Sequence, residues 1–162
     1  VTQIKSISLW LLLVLPMLSA CQTTTSTPVD TAREYIGLTE WRNRQELREL
    51  TGVDPVRTEW CAAFVNAILE LEGIPGSDTV SDYPLTARSF LKWGEEIDPQ
   101  DIKQGDVVVF PRGNQGWQGH VGFYYGTTEQ GYWVILGGNQ SNTVRYDLYR
   151  PSRAIGIRRW ME

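Results

Sequence analysis

The chain predicts an α+β domain, with helices first and an antiparallel sheet of about five strands after them, and not an alternating α/β sheet. Two observations carry this. Up to Trp93 the apolar residues recur at helical intervals between cap and stop signals, whereas from Gly105 onward short β-branched and aromatic runs are separated by Gly-containing turns. The second is that no strand-like run interrupts the first half and no helical period interrupts the second.

Residues 1–20 hold one charge, Lys5, and an apolar run over 7–18 that is too short and too abruptly ended for a stable membrane span. This is the pattern of a secretory signal. It ends in Leu18-Ser19-Ala20-Cys21, which resembles the lipobox of bacterial lipoproteins. That resemblance implies acylation of Cys21 as the first mature residue, and a membrane contact made through the lipid alone. Gln22, in place of Asp, implies the outer membrane, facing the periplasm. The alternative is an ordinary signal peptide or a single anchor helix, which the small residues directly before Cys21 disfavour. Residues 21–28 (Cys-Gln-Thr-Thr-Thr-Ser-Thr-Pro) then form a polar tether, and 29–162 a single domain large enough to bury a core.

Within that domain, residues 29–35 and 42–50 read as two helices, the first capped by Pro28 and Asp30, the second ended before Thr51-Gly52 and Asp54-Pro55. A third runs over 59–72, with Thr58 as N-cap, Glu59 in the first turn, and Gly73 and Pro75 as stops. A fourth, shorter helix is expected over 85–93, ended by Gly94. Residues 105–110 (Gly-Asp-Val-Val-Val-Phe) read as a buried strand, 120–125 and 132–136 as a hairpin, and 143–149 and 154–160 as further strands.

Composition excludes several classes. There are 15 Lys+Arg against 19 Asp+Glu, so no general basic surface exists for nucleic acid or anionic headgroups. With one His, two Cys and no CxxC pair, zinc or haem sites are not expected, and no cofactor is implied. A lipidated Cys21 cannot pair with Cys61. An unpaired Cys61 in an oxidising compartment is a hazard unless it is buried or used.

Cys61 is the candidate nucleophile. Together with Phe64, Val65, Ile68 and Leu69 it recurs at i, i+3, i+4, i+7 and i+8, so the thiol lies on the apolar face in the opening turn of the third helix. Unpaired backbone amides and the positive dipole end stabilise a thiolate there, and the same amides suit an oxyanion. A small buried residue on a core face is the alternative.

His120 is the sole histidine and opens a strand after the Gly-rich loop 112–119. A turn centred between Thr128 and Glu129 sets His120 opposite Gly137 and leaves Asn139 as a same-face diagonal neighbour, able to accept the imidazole N–H and fix its tautomer. A one-residue slip would bring Gln140 there instead. Gly122, Gly137 and Gly138 allow a substrate or helix backbone to approach closely. The alternatives are a solvated strand-end histidine and a turn asparagine.

At this point the chain resembles the papain-like cysteine peptidases of bacterial cell walls, the NlpC-type endopeptidases and their CHAP-domain relatives. The carriers are Glu59-Trp60-Cys61-Ala62-Ala63-Phe64-Val65, Gly105-Asp106-Val107-Val108-Val109-Phe110, Gly119-His120-Val121-Gly122-Phe123-Tyr124 and Gly137-Gly138-Asn139-Gln140. The resemblance implies a helix N-terminal Cys against an antiparallel sheet, Cys61 as nucleophile, His120 as base and then acid, and Asn139 as orienter, an Asn there pointing to the CHAP-like side. It further implies hydrolysis of an amide in the peptidoglycan stem peptide. Trp60, Trp117, Tyr124 and Trp133 are candidate groove residues and Arg112 a candidate partner for a substrate carboxylate; core aromatics and a solvated loop charge are the alternatives. Two other functions fit the same residues: a wall-binding lipoprotein without turnover, and a papain-like acyltransferase or transglutaminase.

Overall fold

The computed structural model describes residues 27–161. The expected signal, Cys21 and the tether up to residue 26 lie outside the described residues. The domain begins slightly earlier than expected. Thr27 caps α1 (Pro28–Arg33) in a reciprocal box with Asp30, so Thr27 and Pro28 belong to the fold and not to the tether.

Next come α2 (Arg44–Thr51), closed by Gly52 in the left-handed conformation, and α3 (Cys61–Leu71). The cap of α3 is Trp60 and not Thr58, which makes Cys61 its first helical residue. Among its residues Cys61 to Val65 and Ala67 to Leu69 are buried, so α3 is the central helix and not a surface one. The segment Ala87–Lys92 is a 3₁₀ helix where an α-helix was expected. Its spacing explains this. Ala87 and Phe90, three apart, are both buried, and three residues per turn stacks them one above the other on the core face.

The strands are β1 (Glu95–Glu96), β2 (Val107–Pro111), β3 (Gly119–Thr127), β4 (Trp133–Gln140), β5 (Thr143–Tyr149) and β6 (Gly156–Arg159). They form one antiparallel sheet in the order β1-β6-β2-β3-β4-β5. The sixth strand, unexpected from sequence, is β1, two exposed glutamates set opposite Arg159 and Arg158. Val107, Val109, Val121, Phe123 and Leu136 pack on the helices, while Val108, Phe110, Tyr124, Ile135 and Ile157 form a second core on the other face. Both faces of the sheet are therefore dry.

A buried ion pair ties the sheet's end to the turn before β2. Asp106, 2% exposed, accepts both Arg159 Nε at 2.6 Å and Nη2 at 2.8 Å, and also the Lys103 amide at 2.7 Å. The Asp of the Gly105-Asp106 pair is thus structural.

Candidate active site

Two irregularities in the sheet decide what meets His120. The β3–β4 turn closes at Thr128 and Tyr132, with Gly131 at φ +81°, and a bulge between Tyr124 and Gly126 follows it, so the pairs Phe123↔Leu136 and Tyr124↔Ile135 stand two residues further along than the expected register. An even shift preserves faces, so alternation alone would still put Asn139 on the His120 side. The second irregularity prevents it. Between Gly137 and Gln140 the β4–β5 pairing bulges, and Asn139 adopts φ +57°. Gly138 and Asn139 both turn to the α3 side, where a Cβ on Gly138 would lie 2.6 Å from Trp60 and 2.7 Å from Phe64.

Gln140, not Asn139, therefore meets the imidazole: its Oε1 lies 3.0 Å from His120 Nε2. The expected role of Asn139 is corrected, because its amide donates instead to Glu59 Oε2 at 2.6 Å. The orientation of the Gln140 amide is fixed by its surroundings. Its NH₂ group faces two carbonyls, Ile135 O at 3.1 Å and Arg145 O at 2.5 Å, so Oε1 must be the atom facing His120, where it also accepts the Tyr149 hydroxyl at 3.1 Å. An oxygen facing the ring requires a proton on Nε2. Nδ1 is then the lone-pair nitrogen, available as a base.

Tyr149 closes the other side of the ring. Its phenol stacks on the imidazole at 5.7 Å between centroids and on Phe110 at 4.3 Å. His120 is 5% exposed, and burial lowers its pKa to about 4; the bond to Gln140 works against the shift and the charge of Arg112 adds to it. The imidazole is neutral at neutral pH.

Cys61 sits beside the start of β3. The backbone amides of Val121, the residue after His120, and of Ala62 act on its sulfur and favour the thiolate. Burial pushes the thiol pKa up, with Glu59 acting in the same direction, against the lowering effects of the Val121 amide, Arg112 and the Ala62 amide. Arg112 and Cys61 also both influence the Tyr149 phenol, which burial raises to about 12. Arg112 acts on thiol, imidazole and phenol alike, and no hydrogen bond joins Cys61 to His120 among the described residues. The resting pair is a neutral thiol and a neutral imidazole.

A cleft of about 270 Å³ opens beside the sulfur, lined among others by Glu59, Cys61, Arg112, Trp117 and Gly119. Arg112 and Trp117, the two cleft candidates from the sequence, both line it. Arg112 Nη1 pairs with Glu59 Oε2 at 3.1 Å, so one carboxylate oxygen binds both Arg112 and Asn139 at the mouth. Trp60 and Tyr124, expected in a groove wall, belong to the core. Trp60 is fully buried with its indole N–H on Glu40 at 3.4 Å, and Tyr124 packs edge-on against Trp133, likewise buried, with its hydroxyl on Thr127 at 2.7 Å. Sequence reasoning missed Tyr149, which reads as an ordinary alternating strand aromatic, and Glu59 as a clamp at the cleft mouth.

No family model matches the chain, and no curated protein does. Among solved structures the chain is similar to NlpC1 from Trichomonas vaginalis, at 20% identity and a TM-score of 0.50, over 82% of this chain and 42% of that one. It is also similar to an NlpC/P60 family protein from Bacillus cereus ATCC 10987, at 19% identity and a TM-score of 0.46, over 63% of this chain and 32% of that one. The chain spans less than half the length of either protein. With the Cys-bearing central helix laid against an antiparallel sheet, the chain has the α+β, papain-like fold of the NlpC type.

Proposed function

We propose that this chain is a lipid-anchored hydrolase that cleaves an amide bond of the peptidoglycan stem peptide by acyl transfer from Cys61 to water. The observation that carries this reading is the fully engaged Gln140 amide, which holds His120 as the Nε2–H tautomer directly before Val121, whose backbone amide acts on the Cys61 thiol.

The steps follow from the two neutral groups. As substrate enters, the Cys61 S–H proton passes to His120 Nδ1 while sulfur attacks the amide carbon. The Cys61 backbone N–H, first in α3 and without an intrahelical acceptor, is aimed at the oxyanion. Collapse breaks the C–N bond, the amine leaves with the proton from Nδ1, and a thioester remains. Water, deprotonated by Nδ1, then attacks that thioester and returns the thiol. Gln140 Oε1 stabilises the imidazolium each time it forms.

Acylation at Cys21 would hold the enzyme at the outer membrane, facing the wall in the periplasm. The test is digestion of purified sacculi with the intact chain and with Cys61→Ala, with products identified by mass spectrometry. New amine and carboxyl termini released only by the intact chain support the reading. Equal release by Cys61→Ala removes it.

A further inference from the structure

Beside the thiol cleft lies a second hollow of about 470 Å³, and Thr86 and Trp117 line both, so the two make one groove leading away from Cys61. Its aromatic walls are open to solvent: Tyr83 is 73% exposed and Trp117 66%. Beside Ser81, Thr86 and Ser89, its charged lining is cationic. Arg88 is held at the edge by its Nε–H, which donates to Gln118 O at 2.8 Å, and its terminal nitrogens meet no carboxylate among the described residues. Lys92 is exposed on the same side and has no ion pair among them either. No carboxylate lines this hollow. In the joined groove the one carboxylate is Glu59, already engaged by Arg112 and Asn139. In a chain with more acidic than basic residues, two unpaired cations over aromatic walls are a local reversal of charge.

We infer that this groove binds an acidic peptide: the chain attacked at Cys61 continues across Trp117 and sets a free carboxylate between Arg88 and Lys92. The inference rests on the reading of Cys61 as an amide-cleaving nucleophile. A neutral sugar would use the ring faces and leave both cations unpaired, and a nucleic acid or anionic lipid surface needs a broader basic field than two side chains provide. An extended peptide satisfies both features, with side chains on the aromatic rings and a carboxylate on the cations.

The experiment measures binding by calorimetry to the full chain carrying Cys61→Ala. The probes are soluble muropeptides from purified sacculi and the same muropeptides with their carboxylates amidated by carbodiimide and ammonia. Amidation is expected to weaken binding about tenfold, and Arg88→Gln with Lys92→Gln to weaken the unmodified probe by a similar factor with little effect on the amidated one. Gln at position 88 keeps a donor for Gln118 O, and Lys92→Gln alone, at a side chain with no hydrogen bond or ion pair among the described residues, is expected to give part of the loss. Equal binding of the two probes, an undiminished amidation penalty in the double variant, or no binding of either overturns the inference. On the intact-Cys61 background the double variant is expected to raise KM about tenfold with little change in kcat. Unchanged KM with product release overturns the groove assignment and leaves the hydrolase. Charge-dependent binding without any product release leaves the groove and removes the hydrolase.

Discussion

Gln140 Oε1 accepts the Nε2–H of His120 at 3.0 Å, and the neighbouring Asn139 faces the opposite side of the sheet, bonded to Glu59 at 2.6 Å. Two adjacent carboxamides in one strand therefore do unrelated things. The bulge that separates them is as much a part of the candidate site as the side chains.

Gln140→Ala removes the acceptor of the imidazole and of the Tyr149 hydroxyl and takes one donor from each of two carbonyls. A loss of about 10²-fold in turnover and of about 2 kcal/mol or more in stability is expected. Asn139→Gly, which suits φ +57° and removes only a contact at an exposed carboxylate, should change turnover by no more than about threefold. Muropeptide release and urea unfolding of both variants check this. Reversed sizes of effect would restore Asn139 as the orienter.

The lowered pKa of His120 ties stability to pH with a definite sign. Between about pH 6.5 and its folded value of about 4, the unfolded chain binds a proton at this site that the folded chain does not, so stability falls as pH falls through that window. The full effect is about 3 kcal/mol. Urea midpoints measured from pH 7 to pH 4 should fall, and less steeply in His120→Gln. The same value puts the acid limb of kcat/KM near pH 4, not near 6.5.

Gly138 is where α3 presses on the sheet. In Gly138→Ala the new methyl would lie 2.6 Å from the Trp60 ring and 2.7 to 2.8 Å from Phe64, both fully buried and without room to yield. A cost of about 1–3 kcal/mol is expected. Because Trp60 immediately precedes Cys61, relief by a shift of the helix start should also lower turnover. Denaturation and product assays on one preparation test both effects.

Arg159→Ala leaves the carboxylate of Asp106 buried with only the Lys103 amide as partner. Destabilisation by about 2–3 kcal/mol is expected. Muropeptide release below the melting transition should be unchanged, since the pair lies away from the cleft lining. Thermal unfolding followed by circular dichroism supplies the measurement.

Much of this molecule was written in local patterns. The spacing of Phe64, Val65, Ile68 and Leu69 settled that Cys61 would open a helix packed into the core, and the run Val107 to Phe110 settled a strand dry on both faces, because burial and backbone period are properties of short windows. The order of helices and strands fixed the α+β layout for the same reason. What the sequence by itself left open was which carboxamide would reach His120, which aromatics would line the cleft, and that two glutamates would add a sixth strand. Those were decided by tertiary contacts. Asn139 is turned from the ring by a bulge at the point where Gly138 meets α3, Trp60 and Tyr124 are drawn into cores that need their volume, and Glu95–Glu96 pairs only because Arg158 and Arg159 arrive from the far end of the chain. A one-residue irregularity or a long-range neighbour leaves no periodic trace, so only the folded chain could choose.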